Sequence, residues 1–170
     1  MRYYFSTKID GPFETAIERA RQALKQEGFG IISEIDMQKA LKEKIQVDFR
    51  PYVILGACNP GLAHEALKLE DKVGTMLPCN VIVQDAGDGI EIAAIDPVAS
   101  MRSIENPALL EKASLVGEKL QSAILLLAGK SESDAENESH VAEVERHASA
   151  SRAELDAIHP AGTDPLHDGP

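Results

Sequence analysis

Pro51-Tyr52-Val53-Ile54-Leu55-Gly56-Ala57-Cys58-Asn59-Pro60 is the stretch on which the fold turns. Its first residues are apolar almost without interruption and are bounded by turn formers, the pattern of a strand at the centre of a sheet. Asn59 is a preferred helix cap and Pro60 a preferred first-turn residue, so a helix over residues 60–70 is expected directly behind Cys58. The cysteine therefore sits at a strand end, beside a helix N-terminus.

The same signatures recur on both sides. Tyr3, Phe5, Thr7 and Ile9 alternate with Tyr4, Ser6 and Lys8, the period of a half-buried strand. After the turn Asp10-Gly11, Pro12 fits a first helical position. Phe13, Ala16, Ile17, Ala20 and Leu24 then follow at helical spacing until Gly28 ends the run. Residues 30–35 read as a second strand, and Asp36 as the cap of a short helix carrying Met37, Ala40, Leu41 and Ile45. Beyond the central stretch, strands over 77–84 and 90–95 flank Asp85-Ala86-Gly87-Asp88-Gly89 and should form a hairpin.

Asn106-Pro107 repeats the cap and opens the longest helix, whose stripe is Leu109, Ala113, Val116, Leu120, Ala123 and Leu127. Leu110, Leu115, Leu125 and Leu126 lie off the stripe, which predicts a second covered face, supplied by the chain's own sheet or by a second subunit. A homodimer is expected on that ground. Helices and strands mixed in this order, with a late hairpin, give an α+β layer rather than a doubly wound parallel sheet.

The formal charge of -11 is unevenly spread. Residues 1–130 carry 15 Lys and Arg against 18 Asp and Glu, and residues 131–170 carry 2 against 10. The sequence thus divides into a globular domain over 1–130 and an acidic, low-complexity tail over 131–170. The tail is expected to be largely disordered, or weakly helical around Val141, Val144, Ala148, Leu155 and Ile158. A domain so near neutrality has no basic field for a phosphate backbone, so no nucleic-acid partner is expected. No apolar run approaches the roughly 20 residues of a membrane span, and the first residues lack the apolar core of a secretory signal. These features predict a cytoplasmic protein, with no membrane partner and with both cysteines as free thiols.

Cys58-Asn59-Pro60 and Pro78-Cys79-Asn80 are where the sequence does more than build a core. Each sets a thiol beside a primary amide and a proline at a strand end, and the helix N-terminus next to Cys58 favours a thiolate there. The plainer reading is that both cysteines are small buried hydrophobes and that Asn59 and Pro60 only cap a helix. A structural zinc site would want four ligands, and the globular part offers only Cys58, Cys79 and His64. His64 reads as a surface residue, Gly87-Asp88-Gly89 as a hairpin turn and Asp96-Pro97 as a turn. The tail histidines His140, His147, His159 and His167 carry no specified site.

These residues together resemble the domain-of-unknown-function 302 family. The resemblance runs through Gly28-Phe29-Gly30, Glu34-Ile35-Asp36, Lys44, Leu55-Gly56-Ala57-Cys58-Asn59-Pro60, Ala66-Leu67, Leu77-Pro78-Cys79-Asn80-Val81 and Asp96-Pro97, and covers roughly residues 1–128. It implies a single-layer, curved, mainly antiparallel sheet with helices packed on one face, commonly as a homodimer, and it implies no activity. The matching motif positions are Cys58, Asn59, Pro60, Pro78, Cys79 and Asn80.

Three readings of function follow. In the first, a homodimeric binding module uses Cys58, Asn59, Pro60, Cys79 and Asn80 to hold a small ligand, a soft metal or a sulfur species. The second is a thiol-dependent redox or sulfur-transfer enzyme in which Cys58 attacks and Cys79 resolves. The third is a dimeric scaffold without a site. The first is preferred, because only His64 offers a general base near Cys58.

Overall fold

A computed structural model of the chain describes residues 2–129. The expected acidic tail over 131–170, with its weak helix and histidines, lies outside the described residues. Within them the elements run β1 (Tyr4–Ile9), α1 (Phe13–Gln26), β2 (Gly30–Asp36), α2 (Met37–Ile45), β3 (Tyr52–Cys58), α3 (Pro60–Leu69), a 3₁₀ turn (Asp71–Met76), β4 (Cys79–Asp85), β5 (Ile90–Ile95), α4 (Pro97–Met101) and α5 (Pro107–Ala128). The strands form one open antiparallel sheet in the order β1-β5-β4-β3-β2. This is the expected α+β layer.

Capping chemistry sets the boundaries. The side chains of Asp36, Asn59 and Asn106 each accept a backbone N–H from three residues on, at 2.9, 3.2 and 3.2 Å, satisfying one of the orphan donors that open a helix. At the end of α1, Gly28 N–H bonds Lys25 C=O and Phe29 N–H bonds Leu24 C=O, with Gly28 at φ +84. That is a Schellman closure, and it requires the left-handed conformation that glycine adopts without strain.

Strand alternation divides the sheet into two unlike faces. Leu55, Ala57, Cys79, Val81, Val83 and Ile92 point to one side, where they join Ala20 and Leu24 of α1 and Leu120, Ala123 and Ile124 of α5 in the main core. Each fully buried Leu or Ile there contributes about 1.5–3 kcal/mol through the surface it removes from water. A smaller cluster of Ala66, Val73, Met101, Leu109 and Ala113 ties α3, the 3₁₀ turn, α4 and α5 together. On the other side of the sheet Tyr52, Ile54 and Ile82 stay half-buried and outside both clusters.

Three local readings are corrected. Pro12 stands at the cap of α1, in extended conformation, one residue before the helix. The strand expected from residue 77 begins at Cys79, because the chain bends at Pro78, which has no N–H to give to the sheet. Asp96-Pro97 is no simple turn: the Asp96 carboxylate accepts the Val98 N–H at 2.9 Å and opens the short helix α4. The extra apolar surface of α5 is met largely within the chain, by α1, α4, β1 and β5, leaving Leu115 and Leu126 exposed.

Candidate functional site

The two cysteines come from the ends of neighbouring strands. Ala57 of β3 is the register partner of Cys79 of β4, and Cys58 is the next residue. Ladder spacing and strand rise together place the two cysteine α-carbons about 6 Å apart. Both thiols are free. They line one cavity of about 30 Å³ with Phe29, Ala57, Asn59 and Leu62, and Met101, Leu109, Lys112 and Val116 complete its wall. Such a volume holds about two water molecules, the size of an ion or a single heavy atom.

Local sequence explains how these residues meet. The Asn59 side chain is fixed by its bond to Leu62 N–H, and its amide nitrogen lies where a Cβ on Gly28 would come within 3.1 Å. Gly28 therefore serves twice, in conformation and in clearance, and the closure it makes delivers Phe29, 3% exposed, to the cavity wall. On the β4 side the Pro78 ring packs over Gly56, where a Cβ would lie 2.7 Å from its Cγ and 2.2 Å from Ser33 Oγ. The absence of a side chain at Gly56 lets Pro78 close onto β3 and sets Cys79 opposite Ala57.

Burial pushes the Cys79 thiol up to about 11, and the neighbouring Cys58 adds to the shift. Cys79 is thus a neutral thiol at physiological pH. At the cavity wall Lys112 is paired with Glu65 at 2.7 Å, which raises the Lys112 ammonium and lowers the Glu65 carboxyl from their ordinary values. Pro60 and His64 are exposed on α3 and do not line the cavity. Among the described residues no group of three or more His, Cys, Asp or Glu could hold a metal ion, and no helix is long and apolar enough to cross a membrane.

Asn80 does not join the thiols. Alternation along β4 turns it to the opposite face, where it lines a second and larger cavity with Tyr52, Ile82, Gln84 and Glu91. The expected Cys-Asn constellation is therefore divided by the sheet. Sequence reading also missed Lys112, since nothing in the chain announces that residue 112 comes back to residue 58. The polar row of Arg50, Gln84 and Glu91 had a signal, because Gln84 and Glu91 occupy the phase of their strands opposite to the core positions.

A family model described as "Domain of unknown function DUF302" matches residues 5–127. The chain belongs to the DUF302 family. Its fold resembles the crystal structure of an uncharacterized conserved DUF302 protein from Bacillus stearothermophilus. The two are 29% identical with a TM-score of 0.69, and the match covers 73% of this chain and 97% of that one. No curated protein matches the chain. The DUF302 match takes in both cysteine motifs, and both lie on the β3–β4 pair that forms the thiol cavity.

Proposed function

We propose that the domain is a binding module whose Cys58 and Cys79 thiols hold a soft monovalent metal ion, of which Cu(I) is the model. The observation that carries this reading is the pair of free thiols lining one small, almost wholly apolar cavity. Two thiolates suit a soft ion of low coordination number, whereas zinc would want further ligands. Binding would deprotonate Cys79 despite its raised pKa, because the metal ion displaces the thiol proton, which is released to solvent. The redox reading has less support: burial keeps Cys79 a neutral thiol at physiological pH, and it is the thiolate that attacks or resolves a disulfide.

The test is titration of the reduced protein with Cu(I) against a competing chelator, followed by native mass spectrometry. One ion per chain is expected, with loss of retention in both Cys58→Ser and Cys79→Ser. Retention unchanged in both variants, or absent from the parent, removes the metal reading. A Cys58–Cys79 disulfide formed readily by mild oxidants would move the assignment to redox chemistry.

We further propose that the module acts as a homodimer. Helix α2 buries no residue, and close to it in sequence Ile32, Ile35, Ile45 and Val47 are 43–65% exposed, an unfinished packing surface around the edge strand β2. Sedimentation should give twice the 18.3 kDa chain mass, and Ile35→Glu should return it to the monomer. A clean monomer at micromolar concentration defeats this part of the reading.

A further inference from the structure

We infer that the other face of the sheet carries a second site, for a small amphipathic carboxylate gripped by Arg50. The cavity there measures about 370 Å³, an ordinary size for a small-molecule site. Its apolar surface comes from Tyr4, Tyr52, Ile82, Ala93 and Ile95, and its polar groups are Arg50, Asn80, Gln84 and Glu91. Strand register sets the polar groups in a row, since Tyr52 pairs with Gln84 and Gln84 with Glu91 across three adjacent strands.

Arg50 is held ready. Its Nε and Nη2 donate to Gln84 Oε1 at 3.0 and 2.6 Å, and Gln84 Nε2 donates to Glu91 Oε2 at 2.6 Å. The guanidinium carbon lies 4.5 Å from the Phe49 ring centroid and 5.6 Å from that of Tyr52. Two rings and two hydrogen bonds thus fix the plane of the group; among the described residues Nη1 has no acceptor, and with the second N–H of Nη2 it forms the edge left for a ligand. A guanidinium fixed in advance loses little freedom on binding, and its fork matches a carboxylate.

Charge favours the same ligand. The single carboxylate lining the cavity, Glu91, is engaged by Gln84, while a second guanidinium, Arg2, stands 5.6 Å from the ring centroid of Tyr4. The aromatic and branched aliphatic walls ask for an apolar body behind the charged group, which an inorganic anion lacks. Asn80, the motif residue that the thiol cavity leaves out, supplies an amide to this site.

The chain has three tyrosines and no tryptophan, and all three tyrosines line this cavity. Tyrosine fluorescence of the full-length protein is therefore a local reporter. Titration with 4-phenylbutyrate, phenylacetate and octanoate should give a saturable change for at least one of them. The matching amide of that acid should bind at least tenfold more weakly, and inorganic phosphate should not compete at equal concentration. Arg50→Met should weaken the acid at least tenfold, Arg50→Lys should recover only part of the loss, and Cys58→Ser should bind as the parent does. Circular dichroism of each variant checks that it is folded. Equal affinity for acid and amide overturns the proposal, as does an Arg50→Met variant that binds normally or the absence of saturation with all three acids. A tyrosine signal that follows dilution of the protein and ignores the acids also overturns it, and would assign this face to a second copy of the chain.

Discussion

Replacing Gly56 with alanine is expected to destabilise the domain by about 2–3 kcal/mol, an overpacking cost, and to lower its melting temperature by roughly 10 °C. Gly56 lies within β3, where glycine is ordinarily a weakness and alanine would be the better strand residue. The steric term decides the sign. An added Cβ would stand 2.2 Å from Ser33 Oγ and 2.7 Å from Pro78 Cγ, both closer than real carbon contacts allow. The hydroxyl can rotate away, but the proline ring is part of the backbone bend that begins β4. Ser33→Gly in the same chain should therefore restore only part of the loss. Because Pro78 leads directly to Cys79, Gly56→Ala should also speed alkylation of Cys79 in the native state. Thermal melts within about 1 °C of the parent, with Cys79 still protected, would show that the Pro78 contact is not what positions that thiol.

The second large effect concerns pH. The Cys79 thiol stands at about 11 in the folded protein against 9.0 unperturbed. Between those values the unfolded chain has released the proton and the folded chain has kept it. The contribution is therefore complete below pH 9 and lost as pH rises from 9 to 11, reaching roughly 2–3 kcal/mol above that window. Lysines and tyrosines titrate there too, so the quantity to measure is a difference. In chelator-treated, reduced protein, the stability gap between parent and Cys79→Ala should narrow by that amount from pH 8 to pH 11. A gap independent of pH would mean that water or a conformational opening reaches the thiol.

The fold was largely legible because its punctuation is local. Asp36, Asn59 and Asn106 mark helix starts with the side-chain bonds their residue types predict, and Gly28 marks a helix end through a backbone angle few other residues accept. Leu77-Pro78 and Asp96-Pro97 were misread because a proline before a strand and a proline at a first helical turn look alike without their surroundings. The site was less legible. Adjacency of Cys58 and Cys79 follows once β3 and β4 are paired, and alternation along a strand over 77–84 already sends Asn80 to the face opposite Cys79, a consequence the shared Cys-Asn motif obscured. The size of the thiol cavity depends on Met101, Leu109 and Lys112, brought in by tertiary packing that no short motif encodes.

The strand order has a bearing on how the chain assembles. Strands β2, β3, β4 and β5 each pair with the next in sequence, so that ribbon can zip from local contacts. Strand β1 pairs with the last strand, Tyr4 opposite Ile95 and Ile9 opposite Ile90, and must wait until some eighty residues of intervening chain have been drawn together. Closing so long a loop is entropically costly and gives little return until the ribbon exists to receive the strand. Docking of β1 is thus expected to be a late event in folding. Since Tyr3 and Tyr4 arrive with it, the cavity around Arg50 is completed only at that step, whereas the β3–β4 junction that seats the two cysteines belongs to the part that forms first.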